Sequence, residues 1–305
     1  MKLKIGVNNG ALRKYKDDPE RNITLEESFD LIKEAGFDTI DFGMSSAKEL
    51  VEQMGFESAF EYIRNEIEKR GLKVNQTHGR TDAFDTLFVD GKVTDEYFKK
   101  VIEDIKATKI LGAKYIVVHP LQPPYALFDK HADFRKQINL EFFKRMQPYL
   151  HEYGVIECIE NLFRNDPERN VCVPSSCSRP EEILYYIDQL QDEHFQACLD
   201  IGHMLLTGDY TGDTPQGAIR KLGKHLKVIH AHDNKKIKDD HFAPYMGLCD
   251  WSEVAIALEE IGYDGVFSLE LMPHRFFAFN HRVWAQGYKF IAEICDTEKM
   301  KKKYH

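Results

Sequence analysis

The chain has 305 residues, 43% hydrophobic and 12% aromatic, with 41 Lys and Arg against 50 Asp and Glu for a formal net charge of −9. That apolar content supplies a sizeable core and excludes a disordered chain, a collagen and a small disulfide scaffold. The acidic balance makes a nucleic-acid partner unexpected, because phosphate backbones are bound through Lys and Arg.

In chain order, short β-branched runs alternate with longer helical patterns. Lys4–Val7 is the first strand. Thr24 and Glu27 form a capping box ahead of a helix with Leu25, Phe29, Ile32 and Ala35 at helical spacing, and Gly36 ends it. Thr39–Phe42 is the second strand; a helical stretch then runs through about Arg70 to Gly71. Leu72–Thr77 is the third strand, followed by a helix over about Thr94–Leu111. Tyr115–Val118 is the fourth, followed by a helix over about Ala132–Tyr153. Val155–Ile159 is the fifth; Ser178 and Glu181 read as a second capping box for a helix to about Leu190. Gln196–Leu199 is the sixth, with a short helix over Thr214–Leu222. Leu226–His230 is the seventh, and Asp250-Trp251-Ser252-Glu253 caps a helix ending at Gly262. Val266–Leu269 is the eighth, followed by a helix over about Asn280–Cys295.

Eight strands each followed by a helix imply a parallel sheet, and eight βα units fit a (β/α)8 TIM barrel. The rival, a doubly wound open sheet, carries a Gly-rich phosphate fingerprint after an early strand. Here Asn8-Asn9-Gly10-Ala11 follows the first strand, without G-x-G-x-x-G. No linker or repeat beyond the βα unit interrupts the pattern. The expectation is one α/β domain over residues 1–305, the barrel at about 3–295 and a charged tail, fraying near Lys301–Lys303, at 296–305. The longest connections, Gly79–Val93, Pro120–His131, Asn161–Cys177 and Ala231–Cys249, all follow strands. In a barrel they share the C-terminal face, where active sites sit.

No apolar run approaches the roughly 20 residues of a membrane helix. The N-terminal Met1–Val7 is too quickly interrupted for a signal peptide. Six cysteines without a Cys-x-x-Cys pair suggest reduced thiols. A cytoplasmic chain is expected.

The strand ends carry the chemistry. Strands three to eight finish on His78, His119, Glu160, Asp200, His230 and Glu270. Each is costly to bury unpaired, and together they are the ligand set of a divalent metal. Asp200 also suits a cap for the turn to His203. Strands five to eight are barrel neighbours, so Glu160, Asp200, His230 and Glu270 can converge on one ion. Three carboxylates and one imidazole prefer Mn²⁺, Mg²⁺ or Co²⁺, with Zn²⁺ admissible. Cys158 points the same way as Glu160, one layer deeper, and reads as core packing. Glu157 lies on the other face of the strand, paired or solvated. His131, His151, His194, His225, His281 and His305 fall outside this pattern and read as structural.

The segments Ile159-Glu160-Asn161, Leu199-Asp200-x-x-His203, His230-x-His232-Asp233-Asn234, Gly247-x-x-Asp250-Trp251 and the strand-ending Glu270 resemble the xylose-isomerase-like barrels, the sugar phosphate isomerase/epimerase group. The likeness runs from Ile5 to Glu270. It implies one divalent ion on Glu160, Asp200, His230 and Glu270, with His232 the alternate to His230. Endonuclease IV, of the related AP endonuclease family 2, uses the same barrel with three zinc ions. Its further ligands would fall on His78, His119, His203, Asp239 and His241. Against that branch stands Asn161-Leu162-Phe163-Arg164 in place of a small, Gly-rich stretch.

The resemblance implies an aldose–ketose isomerase or ketose epimerase that moves a proton beside a carbonyl, with Glu160 and Glu270 as acid and base. His78, His119, His203 and His232 would hold substrate oxygens, and Arg275 a phosphate or carboxylate. Trp251, Phe84, Phe88, Phe163 and Phe276 are candidates to line the sugar. The expected partner is a small sugar or sugar phosphate, without a membrane, and a homo-oligomer is compatible. The alternatives are a multinuclear phosphoesterase like endonuclease IV, a dehydratase, and a sugar-binding barrel without turnover. Fold alone does not separate them.

Overall fold

Eight parallel strands close into a barrel in the computed structural model, which describes residues 2–9, 23–81, 88–89, 92–122, 132–272 and 281–302. The strands in chain order are β1 (Lys4–Asn8), β2 (Thr39–Gly43), β3 (Lys73–His78), β4 (Phe88–Val89), β5 (Lys92–Val93), β6 (Tyr115–Val117), β7 (Ile156–Glu160), β8 (Phe163–Asp166), β9 (Val171–Pro174), β10 (Phe195–Asp200), β11 (Leu226–Ala231) and β12 (Val266–Leu269). The barrel order is β1-β12-β11-β10-β7-β6-β3-β2; β4–β5 and β8–β9 are hairpins in the loops after β3 and β7. The helices are α1 (Leu25–Glu34), α2 (Lys48–Met54), α3 (Phe56–Lys69), α4 (Asp95–Ile110), α5 (Ala132–Tyr153), α6 (Pro180–Leu190), α7 (Ile201–Thr211), α8 (Pro215–Leu222), α9 (Trp251–Glu260), α10 (His281–Ile294) and α11 (Thr297–Met300). None is long and apolar enough to cross a membrane. The (β/α)8 barrel expected from the strand–helix alternation is the fold.

Alternation along each strand divides the core in two. Phe29, Ile32, Phe142, Phe143, Phe195 and Phe267 belong to the main buried cluster between helices and barrel. Val117, Cys158, Cys198 and Val228 form a separate buried cluster, so Cys158 is packing. Glu157 is paired rather than solvated: it is fully buried and accepts from the Val118 amide at 3.1 Å.

Several local expectations change. Thr24 and Glu27 do form the reciprocal capping box. The helical stretch before Arg70 is broken into α2 and α3 by Gly55, at φ 84°. Ser178 does not cap α6; its hydroxyl turns back to donate to the Leu162 carbonyl at 2.5 Å. The tail, expected to fray near Lys301–Lys303, is held as far as Lys301; Lys303 lies outside the described residues. Asp296 caps α11, Thr297 and Met300 are buried, and Lys301 reaches Glu259 at 2.8 Å.

The loop after β11 is held by a fully buried carboxylate. Asp233 Oδ2 accepts from Trp251 Nε1 at 2.9 Å, and its Oδ1 accepts from the Asn234 and Cys249 amides. Gly247 sits against this carboxylate so closely that a Cβ would lie 2.2 Å from Oδ1. Trp251 is thus buried against Asp233 and does not line the cavity at the barrel mouth. Trp251→Phe strips a buried carboxylate of its indole donor and is expected to cost about 1–3 kcal/mol, seen as a lower urea midpoint at unchanged slope.

Candidate metal centre

The C-terminal strand ends bring five carboxylates (Asp41, Glu160, Asp200, Asp239, Glu270) and six imidazoles (His78, His119, His203, His230, His232, His241) into one connected group. His230 Nδ1 lies 3.0 Å from Glu160 Oε1 and 3.2 Å from Glu270 Oε2, while its Nε2 faces Asp41 at 3.4 Å. Glu160 Oε2 is 3.1 Å from His119 Nε2 and 3.6 Å from His78 Nε2. Asp200 joins through His203 at 3.7 Å and His232 at 3.0 Å. His241 donates to Asp239 at 2.7 Å, and Asp239 lies 3.9 Å from His203 and 3.7 Å from His232.

Parallel register sets this up: Cys198 faces Glu160 across β10–β7, and Asp200 faces His230 across β10–β11. Asn161 locks two strand ends together, its Nδ2 donating to the Asp200 carbonyl and its Oδ1 accepting from the Asp200 amide. Asp200 also caps α7, accepting from the His203 amide at 2.6 Å. His203 is thereby the third residue of a helix rather than the end of a turn. Gly202 admits no side chain, since a Cβ there would lie 1.9 Å from the His232 ring.

Burial would push the Glu160 carboxyl up, but the His230 and His119 imidazoles beside it hold it well below the usual glutamate range. Asp200 is likewise lowered, burial being outweighed by His203 and His232. Burial alone would lower His78 and His241. Glu160 and Asp239, respectively, push them up to about 9. His119 is lowered by its burial. Glu160, Asp200 and Asp239 thus favour the ionised form, and much of the compensating charge is protons on imidazole.

This donor set fits a metal. Glu160 Oε2, His230 Nε2 and His232 Nδ1 are buried without an aligned hydrogen bond, which is costly unless a cation or ligand takes them up. Three compact donor groups stand out: His78, His119, Glu160; His78, His230, Glu270; and His203, His232, Asp239, His241. The two histidines at the end of β11, His230 and His232, therefore separate. His230 belongs with Glu160 and Glu270, and His232 with Asp200 and the histidine-rich end.

Above the group lies a cavity of about 550 Å³, lined among others by Asp41, His78, His119, Glu160, Phe163, His203, Asp239, His241 and Glu270. Phe163 packs edge-on against His203 at 4.9 Å between ring centroids. Arg275, Phe84 and Phe276 lie outside the described residues, as does the Phe88 side chain. Asp41 was not expected from the sequence; Gln76 Nε2 donates to its Oδ2 at 2.9 Å and holds it in the mouth.

The electrostatics carry a pH signature for the metal-free protein. His78 and His241 bind protons more tightly folded than unfolded, where imidazole titrates near 6.5. Their stabilisation is complete below about pH 6.5 and lost as pH rises through about 9. Chelated protein should lose Tm across that window. A flat Tm there would mean that both imidazoles are neutral in the fold.

Three kinds of relative share this chain's pattern. The uncharacterized protein MJ1311 of Methanocaldococcus jannaschii is 28% identical over 182 residues, 59% of this chain and 57% of the relative. A probable endonuclease 4 of Mycoplasmopsis synoviae is 26% identical over 147 residues, 46% and 48% of the two chains. A D-psicose 3-epimerase of Ruminiclostridium cellulolyticum is 27% identical over 143 residues, 47% and 42%. The matches thus span about half the length of these curated relatives. Among solved structures, a D-tagatose 3-epimerase-like protein superposes with TM-score 0.72 at 20% identity, covering 96% of this chain and 98% of that one. The IolI protein with a bound zinc atom superposes with TM-score 0.70 at 18% identity, covering 99% of each. Residues 29–294 match the model of one family, and with these strand ends the chain belongs to it: the xylose isomerase-like TIM barrels.

Proposed function

We propose that the protein is a divalent-metal-dependent isomerase or epimerase of a sugar or sugar phosphate. The observation that carries the reading is the pair Glu160 and Glu270, which approach His230 Nδ1 at 3.0 and 3.2 Å and both line the 550 Å³ cavity. That volume is in the range of small-molecule sites, roughly 300–1,000 Å³. The epimerases among the relatives support the same reaction class.

The hydrogen beside a sugar carbonyl is weakly acidic, and removing it leaves an enediolate whose charge must be held. Glu160, kept ionised by His230 and His119, is the resting base. Glu270 acts as its counterpart. A proton taken by one glutamate and returned by the other on the opposite face inverts the centre; one returned to the neighbouring carbon exchanges aldose and ketose. An ion on Glu160, Asp200, His230 and Glu270 would supply Lewis-acid polarisation of the carbonyl. The carboxylate-rich set favours Mn, Mg or Co, with Zn as the alternative. His78, His119, His203 and His232 are assigned to substrate oxygens, and Arg275 to an anionic group. The five free cysteines buried in the fold, Cys158, Cys172, Cys177, Cys198 and Cys295, suit a reducing cytoplasm.

A second reading has a specific observation behind it. The groups His78, His119, Glu160 and His203, His232, Asp239, His241 are each compact enough for an ion of their own. That favours a multinuclear phosphoesterase like the endonuclease 4 relatives.

Two measurements divide the readings. Protein purified without chelator or added metal is expected to hold about one divalent ion at the barrel mouth, counted by elemental analysis and placed by anomalous scattering; two or three there would make ligands of His78, His119 and His241 and favour phosphodiester substrates. In deuterated water, the protein is expected to exchange solvent deuterium into a ketose. Glu160→Gln and Glu270→Gln should each slow that exchange about 10²–10⁴-fold. Unchanged exchange in either variant would remove that glutamate from the acid/base pair.

A further inference from the structure

We propose that His151, Asp192 and His194 form a second divalent-cation site, of the zinc class, on the barrel face opposite the mouth. Asp192 and His194 immediately precede β10, and His151 lies in the last turn of α5, which leads into β7. All three therefore stand at the N-terminal ends of the strands, a barrel's length from the cavity.

The donors are already assembled. His151 Nε2 lies 2.7 Å from Asp192 Oδ2, and His194 Nδ1 lies 3.1 Å from Asp192 Oδ1. The two rings are tilted 43° to each other with centroids 4.1 Å apart. One donor atom from each residue lies within 4.8 Å of the other two. Zinc bonds of about 2.0–2.1 Å in a tetrahedron separate ligand atoms by roughly 3.3 Å. The ion would enter by lengthening the 2.7 Å and 3.1 Å contacts to that spacing.

Three further features favour a cation there. The Asp192 side chain is 4% exposed and is aimed by two donors that are not ligands, Gln147 Nε2 at 2.7 Å and the His194 amide at 3.0 Å. Such outer hydrogen bonds fix a ligating carboxylate before the ion arrives. The last turn of α5 presents the negative end of a 22-residue helix. The His151 side chain is 52% exposed, which leaves an entry path and a fourth position for water. Two imidazoles and one carboxylate form a borderline set that suits zinc better than magnesium. A bound ion would fasten the end of α5 to the start of β10.

The test is zinc titration of metal-free protein, comparing the wild type with His151→Ala and with the double variant His151→Ala/His194→Ala. The wild type should take up one equivalent more than the double variant. His151→Ala, at a half-exposed position, should weaken that equivalent at least tenfold. The difference is read independently of the mouth. If the mouth takes no zinc, the wild type still binds one ion and the double variant none. Anomalous scattering at the zinc edge should place a peak between the three side chains. Equal uptake by the wild type and the double variant, or anomalous density at the mouth alone, overturns the site and leaves the three residues as a hydrogen-bonded group.

Discussion

Five carboxylates cannot share one barrel mouth without positive charge between them. Two like charges 4 Å apart repel by about 4 kcal/mol even at an effective dielectric of 20, and Glu160 and Asp200 are almost wholly buried. In the metal-free protein that charge resides on His78, His203, His230 and His241, all raised by neighbouring carboxylates against their burial. A divalent ion entering the mouth would therefore compete with protons for one set of side chains and release them. The barrel's part is to hold the donors still while the cation changes. The closed sheet, the Asn161–Asp200 pair of hydrogen bonds and the Asp233–Trp251 clamp serve that end.

Much of this could be read from the sequence, for a geometric reason. In a parallel barrel every strand delivers its last residues to the same face. A column of polar strand ends is therefore a site, wherever the helices between them run. Asp41 escaped because it stands inside the apolar run Thr39–Phe42 and reads as a strand interior. Barrel closure around β2 and β3 puts it under His230. The helix α7 escaped because Ile201–Thr207 are all buried, so no polar face marks its period. Ser178 misled because Leu162 and Ser175 offer its hydroxyl nearer partners than the end of α6. The hairpin β8–β9 escaped because Arg164, Asn165 and Asp166 look like loop residues when only their polarity is visible.

The mouth is chemically uneven. The side bearing Glu160 and Glu270 around His230 is rich in carboxylate and suited to proton transfer. The side bearing His203, His232, Asp239 and His241 is rich in imidazole. Asp200 touches both through His203 and His232. Relatives named as a D-psicose 3-epimerase and as a probable endonuclease 4 both match this chain, whose mouth offers two ends of different donor chemistry.

The missing side chain at Gly202 has a consequence for how this chain can diverge. With the His232 ring filling the space where a Cβ would stand, position 202 can gain a side chain only after position 232 shrinks. The two residues are thus coupled between α7 and the segment that follows β11. A lineage that gives up His232 can close the gap with an alanine or serine and thereafter has no easy way back. The imidazole-rich end would then be reduced to His203, Asp239 and His241, while Glu160, His230 and Glu270 keep their places. A one-atom gap in the first turn of a helix thus acts as a ratchet on the number of donors the mouth retains.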